Sequence, residues 1–244
     1  MLDTESGFIR DFQYKRKYQL ENFNIKEKKL LINKRYTFFT RIKRFLLRFF
    51  NSKKIFNDSR YIVQEGMDFD SRLLKKRVNS YLYLSGYWQS EDYFIDIEDI
   101  IRNDLIITMP NDKKNLDSAQ NINNTNSVAL HLRFFDDPNV SCANNATKKY
   151  YDDAIARMEQ HIPDAHYYIF SDRTDLVKDI IELPSSRYTV FNHNNEDHLA
   201  IYDMWLMSKC KNFIIANSTF SWWGAWLSSY KEKIVIAPGF KLNA

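Results

Sequence analysis

The segment 213–226 constrains the fold of this chain more than any other part of it. It begins with the apolar run Phe213-Ile-Ile-Ala216, which is typical of a buried strand in a parallel sheet. Asn217-Ser-Thr-Phe-Ser-Trp-Trp-Gly-Ala-Trp226 follows directly, and its three tryptophans must bury large surfaces. We therefore expect a buried strand that leads at once into a helix packed on the same sheet, as in α/β proteins.

Hydroxyl side chains stand where this predicted helix begins. The first turn of a helix offers unpaired backbone N–H groups and the positive end of the helix dipole, which together suit a phosphate. Ser218, Thr219 and Ser221 add further hydrogen-bonding groups at that turn. Such residues are more often simple helix caps. A second motif upstream favours ligand binding instead.

The second motif is Val128-Ala-Leu-His-Leu-Arg-Phe-Phe-Asp136. Its alternating pattern predicts a strand that carries His131 and Arg133 towards its carboxyl end. Ligands of open α/β sheets bind just outside that end. The guanidinium of Arg133 presents a planar donor pair that matches a phosphate or a carboxylate. A His-x-Arg pattern alone is a weak signal, because a buried histidine is more often a core residue than a ligand contact.

Strands and helices alternate regularly after residue 127. The predicted strands are 127–134, 166–171, 187–191, 212–216 and 233–237, and the predicted helices are 147–161, 173–182, 196–209 and 219–229. This order indicates a doubly wound parallel sheet with right-handed crossovers. The Asn- and Asp-rich stretch 111–126 has no periodicity and predicts a linker. We therefore divide the chain into an N-terminal half at 1–110, mostly helical around one short strand at 81–84, and a C-terminal half at 127–244.

Composition excludes several kinds of site. The chain has only five glycines among 244 residues, so no Gly-rich phosphate loop can be assembled and dinucleotide-binding oxidoreductases are excluded. Its two cysteines are too few for a disulfide framework, and its five histidines show no metal-ligand spacing. We expect no metal and no bound cofactor. A nucleotide phosphate would then be held by arginine, hydroxyls and helix-start amides.

The net charge of +4 is unevenly distributed, because basic residues are concentrated at 26–54. Within this stretch, apolar residues at 38–50 recur at helical spacing and predict a basic amphipathic helix. It can pack on its own domain or make a peripheral membrane contact through 35–50. Nucleic acid binding is not expected, since no known binding motif is present. Without a signal peptide or a membrane-spanning run, the predicted location is cytoplasmic, and a peripheral contact through 35–50 would place the protein at the inner face of the membrane.

Together the two motifs resemble the α-1,2-fucosyltransferases of glycosyltransferase family 11. These carry His-x-Arg-Arg-Gly-Asp and Asn-Ser-Ser-Phe-Ser-Trp-Trp-Gly-Ala-Trp-Leu. Four other segments resemble the family in the same order along the chain: 16–25, 86–94, 168–172 and 203–211. The resemblance covers nearly the whole chain. It implies a GT-B fold, in which two Rossmann-like halves face a cleft and the C-terminal half holds the nucleotide-sugar.

The resemblance also implies a reaction: inverting transfer of L-fucose from GDP-fucose to a galactose-containing acceptor in α-1,2 linkage, in the synthesis of a surface polysaccharide or glycan. The residues it assigns to the donor are His131, Arg133, Asp136, Asp203, Ser218, Thr219 and Ser221. Arg133 would act in catalysis by neutralising the diphosphate that leaves. Asp203 would accept the guanine N–H groups together with His131, and Asp136 would orient Arg133 or the base. Asp172, at the end of a strand, is a weaker candidate.

Two features differ from the family pattern. The family's opening Gly-Gly-Leu-Gly-Asn-Gln segment is not present, so a truncated product and a lineage that lost the segment both stay open. The chain also has Phe134-Phe-Asp-Asp137 where the family usually has Arg-Gly-Asp-Tyr. Both features favour an alternative function, a catalytically impaired remnant that binds GDP or a sugar. On this basis, little fucosyl transfer is expected from these 244 residues alone.

Overall fold

A computed structural model describes residues 18–25, 61–66, 68–78, 82–135 and 144–239. The predicted basic helix at 35–50 and the candidate Asp136 lie outside these residues. The chain divides into two compact units. The first unit includes the described residues between Ile25 and Asp104. The second unit holds Gln19–Asn24 together with the residues from Leu105 onward. No helix among the described residues is long and apolar enough to cross a membrane.

The first unit contains a short parallel pair of strands. Strand β1 (Tyr61–Val63) pairs with β2 (Tyr83–Ser85), and two 3-10 turns at 91–97 lead into helix α1 (Glu98–Asp104). A single strand was predicted here, so β1 corrects that expectation. Strand β1 has three residues, which is too short for an alternation of apolar and polar side chains to be recognised in the sequence.

A tight turn follows β2 and is held by one side chain of the neighbouring strand end. Gln64 Oε1 accepts hydrogen bonds from the backbone N–H groups of Tyr87 at 2.7 Å and Trp88 at 2.9 Å. Gly86 has a φ of +156°, and a Cβ there would lie 2.4 Å from the Gln64 Cβ. Only glycine therefore fits at this position. Trp88 itself has a φ of 51°, which bulky residues rarely adopt.

The second unit alternates helices and strands. Its elements in chain order are α2 (Lys113–Asn123), β3 (Ser127–Leu132), α3 (Lys148–His161), β4 (His166–Ser171), α4 (Val177–Ile180), β5 (Tyr188–Val190), α5 (Ala200–Met207), β6 (Asn212–Ile214), α6 (Thr219–Leu227) and β7 (Val235–Ile236). All pairings in the sheet are parallel, and the strand order is β5-β4-β3-β6-β7. The prediction of an α/β fold with a doubly wound parallel sheet is confirmed.

Helices cover both faces of this sheet. One core joins α2, α5 and α6 to the side of the sheet that includes Ala129, Tyr168 and Phe213. The other joins α3 and α4 to the opposite side, which includes Leu130 and Ile169. Every residue of β3 is buried, as expected for the central strand of a sheet that is covered on both faces. The polar residues that β3 carries must therefore find partners inside the protein or at its strand end.

The predicted linker at 111–126 is wrong in its local structure, because helix α2 occupies most of it. Asp112 caps the helix by accepting a hydrogen bond from the backbone N–H of Asn115 at 2.9 Å. The buried positions Asn115, Ala119 and Ile122 are four and three residues apart and share one face of the helix. The sequence did not indicate this helix because Asn115, one of the three buried positions, is polar.

Helices α5 and α6 approach closely at Gly224. A Cβ on Gly224 would lie 3.0 Å from the Met207 Cβ and 3.1 Å from its Cε. We expect Gly224→Val to lower the free energy of unfolding by roughly 1–3 kcal/mol, the usual cost of overpacking a core. Urea denaturation measures this change. Gly239→Val is the matched control, because a Cβ at Gly239 meets nothing within 4 Å. Equal midpoints for the two variants would contradict the prediction.

Candidate active site

From β3 the chain adds β4 and β5 on one side, and β6 and β7 then lie on the other side, so the strand order reverses between β3 and β6. Arg133 and the start of α6 follow the carboxyl ends of these two strands. Leu130 pairs with Ile214, so Arg133 and Asn217, each three residues further along, lie level at the carboxyl edge. Leu132 pairs with Ser171, which brings Asp172 beside Arg133 in the same way. Crevices at such reversals are where open α/β sheets bind ligands.

Arg133 is held in place by two neighbours. Its Nη1 lies 2.8 Å from Asp172 Oδ2, and its guanidinium carbon lies 5.4 Å from the centre of the Phe135 ring. Asp172 Oδ1 also accepts a hydrogen bond from the Phe134 backbone N–H at 3.2 Å. The Arg133 side chain is 31% exposed, so part of it faces solvent. The weaker candidate Asp172 therefore lies beside Arg133 as its ion-pair partner.

His131 is almost completely buried, with 5% exposure. Its ring centre lies 5.7 Å from that of Phe220 on α6, and its carbonyl accepts a hydrogen bond from the Tyr151 hydroxyl at 3.1 Å. Burial, assisted by the positive charge of Arg133, lowers the pKa of His131 to about 3. The imidazole is therefore neutral near pH 7. It can hydrogen-bond to a ligand but cannot add positive charge at a phosphate.

The three hydroxyl residues predicted at the start of α6 differ in exposure and in hydrogen bonding. Ser218 is the N-cap residue and its side chain makes no capping hydrogen bond, and Thr219 is exposed. Ser221 is fully buried and its hydroxyl donates to the Ser218 carbonyl at 3.2 Å. This placement does not support the predicted donor contact of Ser221, because the hydroxyl is used inside the turn. Ser218 and Thr219 are left as the hydroxyls that a ligand can reach.

Asn217 was not singled out from the sequence. Its Nδ2 is buried and has no hydrogen-bond partner in the part of the chain that the structure describes. Buried amide groups are normally paired, so an acceptor is expected for it. Asn217 stands level with Arg133 at the strand reversal, and an oxygen of a bound ligand would supply that acceptor.

Asp203 lies in the first half of α5, beyond the end of β5. Its Oδ1 accepts a hydrogen bond from Asn194 Nδ2 at 2.8 Å. Burial raises its pKa to about 7, and this single hydrogen bond only partly opposes the shift. Strand β5 lies two positions from β3 in the sheet, roughly 10 Å away at normal strand spacing. Asp203 is therefore bonded to the loop that follows β5, whereas Arg133 follows β3.

The described residues contain no candidate metal centre. Among the described residues, no group of three or more His, Cys, Asp or Glu side chains could hold a metal ion. In the first unit, Asp70 of the closely spaced Asp68-Phe-Asp70 is bound to Arg72 through Nε at 2.9 Å.

Comparison with known proteins identifies the family. The family model described as "Glycosyl transferase family 11" matches residues 8–242. The chain belongs to glycosyltransferase family 11. The resemblance that the Arg133 and α6 motifs indicated is thereby confirmed.

Two Escherichia coli proteins of known role are similar to this family 11 chain. One, named alpha-1,2-colitosyltransferase, is 34% identical over 186 residues, which is 70% of this chain and 61% of that protein. The other, named O-antigen biosynthesis glycosyltransferase WbnK, is 38% identical over 119 residues, which is 47% of this chain and 39% of that protein. The chain thus matches less than two thirds of the length of either relative.

Solved structures resemble this one only distantly. The crystal structure of POFUT1 in complex with GDP matches 66% of this chain and 55% of its own, with 13% identity and a TM-score of 0.43. The crystal structure of the fucosyltransferase NodZ from Bradyrhizobium matches 64% of this chain and 59% of its own, with 12% identity and a TM-score of 0.39.

Proposed function

We propose that this family 11 protein transfers L-fucose from GDP-fucose to a galactose-containing acceptor, forming an α-1,2 linkage with inversion. The observation that carries the proposal is Arg133, oriented by Asp172 at the strand reversal and level with the start of α6. Membership of the family supports sugar transfer as the reaction class.

In this proposal the second unit binds the donor. The acceptor hydroxyl attacks the anomeric carbon of fucose on the face opposite GDP, the bond between that carbon and the phosphate oxygen breaks, and GDP leaves with the electron pair. The hydroxyl proton passes to a base. Negative charge then grows on the β-phosphate, where a fixed cation gives the largest help. Arg133, Ser218 and the unpaired N–H groups of the first turn of α6 supply that help.

The base of the donor is assigned to Asp203. Guanine presents an N1–H and an amino group side by side, and a carboxylate can accept both hydrogen bonds. Adenine and uracil lack this pair of donors. A site built to accept it rejects ligands without it, because a buried acceptor is then left unpaired.

Calorimetry with GDP, ADP and UDP, together with a transfer assay on a β-galactoside, tests the proposal. GDP should bind most tightly, and GDP-fucose should give a fucosylated product. Equal affinities, or tighter UDP binding, would contradict the assignment. A colitose donor belongs in the same assay because a relative is named for colitosyl transfer. Product from that donor alone would keep the reaction class and change the sugar.

A second candidate function is binding of GDP or a sugar without turnover. One observation favours it: the Phe134 side chain packs against the core beneath α3, at the position where the family usually has a second arginine. Arg133 then faces the diphosphate without that second arginine, and Asp172 already neutralises part of its charge. Tight GDP binding with no product from any donor would support this candidate.

We expect GDP binding to be independent of divalent metal. The physical reason is that Arg133 and the start of α6 already provide positive charge and donors for the diphosphate. Titrations with a chelator and with added Mg²⁺ or Mn²⁺ should give the same affinity. If binding were lost with the chelator and restored by metal, the role of Arg133 as the counter-charge would be wrong.

A further inference from the structure

A chain of hydrogen bonds between buried amides joins three elements of the second unit. Asn115 Nδ2, on α2, donates to Asp112 Oδ2 at 2.8 Å and to Asn194 Oδ1 at 3.1 Å. Asn194 Nδ2, in the loop after β5, donates to Asn115 Oδ1 at 3.0 Å and to Asp203 Oδ1 at 2.8 Å. Asn115 is 2% and Asn194 4% exposed. Two carboxylates are thus connected by a reciprocal pair of carboxamides.

The carboxylate of Asp112 fixes the direction of this chain. An ionised carboxylate accepts hydrogen bonds and cannot donate them, so the amide nitrogen of Asn115 must face Asp112. The Asn115 oxygen then faces the Asn194 nitrogen, and the second hydrogen of that nitrogen points at Asp203. Neither amide can flip without placing two donors or two acceptors together. The orientation of Asn194 towards Asp203 is therefore determined by the N-cap of a different helix.

His193 completes the set of partners around Asn115. Its Nε2 lies 3.1 Å from Asn115 Oδ1, which can only accept, so Nε2 carries the hydrogen. Burial lowers the pKa of His193, and the charge of Lys114 lowers it further while that of Asp112 opposes the shift. The neutral tautomer with hydrogen on Nε2 satisfies the contact. Both hydrogens and both lone pairs of the Asn115 carboxamide are then used.

The chain of hydrogen bonds ends at Asp203, whose carboxylate has free lone pairs. Asp203 accepts one hydrogen bond, from Asn194, although a carboxylate has about four acceptor positions. The Asp203 side chain is part-buried, and neither of its oxygens is among the buried atoms without a partner, so its free lone pairs are open to a ligand. A ligand at these lone pairs must offer hydrogens, and an adjacent N–H pair can use both oxygens of the carboxylate at once, which one hydroxyl cannot do.

We propose that Asn194, locked by Asn115, is a positioning residue for base recognition: it holds Asp203 so that its free lone pairs meet the N1–H and amino group of guanine. This inference rests on the proposed GDP-binding function. Neither asparagine touches the base in this arrangement. Their contribution is to fix the orientation of the carboxylate and to keep it ionised when the ligand arrives.

The pH dependence of binding distinguishes this role from a purely structural one. A protonated carboxyl has one oxygen occupied by hydrogen and cannot accept both guanine N–H groups. Because the hydrogen bond from Asn194 lowers the pKa of Asp203 against the effect of burial, its removal makes the carboxyl easier to protonate. The other titratable groups joined to it are Asp112 and His193, each of which bonds to Asn115, and the charge of Lys114 acts on His193.

The experiment compares GDP and ADP binding by calorimetry between pH 5.5 and 9 for the wild-type protein and Asn194→Leu. Phosphate ionisation near pH 6 affects both nucleotides alike, so the ratio of their affinities isolates the base. In the wild type the GDP preference should fall as pH drops through about 7, where Asp203 is protonated. In Asn194→Leu the midpoint of this fall should move up by about one to two pH units, the size of one hydrogen bond to a charged group.

Asn126→Leu is the matched control. Asn126 Nδ2 also donates to a carboxylate, Asp164 Oδ2, at 2.8 Å, but that pair is exposed and lies at the amino end of β3 and β4. Its pH profile should coincide with that of the wild type. If Asn194→Leu fails to fold, Asn194→Ser removes the reach to Asp203 with a smaller change in the core and should give the same shift.

The outcomes separate the two hypotheses. A wild-type protein without GDP preference at any pH means that the proposed donor is wrong. GDP preference in the wild type with an unchanged midpoint in Asn194→Leu and Asn194→Ser means that the proposed donor stands and the positioning role is wrong. An equal loss of GDP and ADP affinity at every pH also overturns the inference, because a disrupted fold would produce it.

Discussion

Arg133→Lys is expected to weaken GDP binding by roughly 1.5–3 kcal/mol, or about 10- to 150-fold, although the positive charge is kept. The guanidinium can direct one edge to Asp172 and another to the ligand, because its five N–H groups form a rigid planar fork. An ammonium placed against Asp172 would be neutralised there, with no fixed second edge for the diphosphate. Calorimetry with GDP measures the loss.

Arg187→Lys is the control for this substitution. Arg187 is also paired with a carboxylate, Glu159, at 3.0 Å, and its Nε donates to the Ala165 carbonyl. It precedes β5, at the opposite edge of the sheet from Arg133. The control should bind GDP like the wild type even if its unfolding midpoint falls. Unchanged GDP affinity in Arg133→Lys would show that Arg133 has a structural role only.

Turnover should be more sensitive to Arg133 than binding is. Removal of one fixed donor from a developing negative charge typically lowers kcat by roughly 10²–10³-fold. We therefore expect Arg133→Ala to lose activity by about that factor where GDP-fucose is turned over. Measured on Arg133→Ala itself, the loss of kcat compared with the loss of GDP affinity separates a contribution to the transition state from simple donor binding.

Sequence patterns predicted the parallel sheet and its carboxyl edge well. The apolar runs around Leu130 and Ile214 are long enough to identify parallel strands, and the rule for strand ends then located Arg133 and Ser218 at one edge. The structure confirms five strands in a doubly wound order, although several predicted ends extend up to a few residues too far. Helix α5, for example, begins at Ala200, whereas residue 196 was expected.

Contacts between distant residues were not predictable in the same way. Asp172 and Arg133 meet because β3 and β4 are paired in one particular register, which no local pattern specifies. The Asn115–Asn194 pair joins residues 79 positions apart and is the reason for a polar residue on the buried face of α2. From the sequence alone, Asn115 was predicted to be part of a linker.

Ser221 shows that the sequence does not specify the direction of a hydroxyl side chain. A hydroxyl in the first turn of a helix can face a ligand or bond back to a carbonyl of the preceding turn, and both choices have the same sequence. Here the side chain bonds to the Ser218 carbonyl and is fully buried. The neighbouring Thr219 is exposed, although the two residues were indistinguishable as candidates.

Asp203→Asn should have two effects of opposite sign, a more stable protein and a loss of guanine selectivity. The stability effect follows from the pKa of Asp203, which burial raises from 3.8 to about 7. Between these values the unfolded chain has released the proton and the folded protein still holds it. Rising pH therefore destabilises the wild type across this range, and the cost is constant above about pH 7.

An asparagine does not titrate, so the variant avoids this cost while its Oδ1 can still accept the hydrogen bond from Asn194. Its free energy of unfolding should match that of the wild type near pH 4 and exceed it by on the order of 2–4 kcal/mol at pH 8. Denaturation in urea at several pH values measures the difference. Asp179→Asn, at an exposed position of α4, should give no such trend. A variant that is less stable than the wild type at pH 8 would contradict the burial argument.

The selectivity of Asp203→Asn for guanine should fall, because the new amide nitrogen replaces the free carboxylate oxygen. A donor would then face the N1–H and amino group of guanine, and the preference for GDP over ADP should fall by roughly 3–5 kcal/mol, the value of two hydrogen bonds to a charged group. Calorimetry with both nucleotides at pH 8, where the wild-type carboxyl is ionised, measures this change. A residue that destabilises the fold and yet confers selectivity has the signature of a binding site, since natural sites retain strained or under-paired groups where function requires them. If Asp203→Asn gained stability and kept its GDP preference, the raised pKa would stand and the assignment of Asp203 to the base would not.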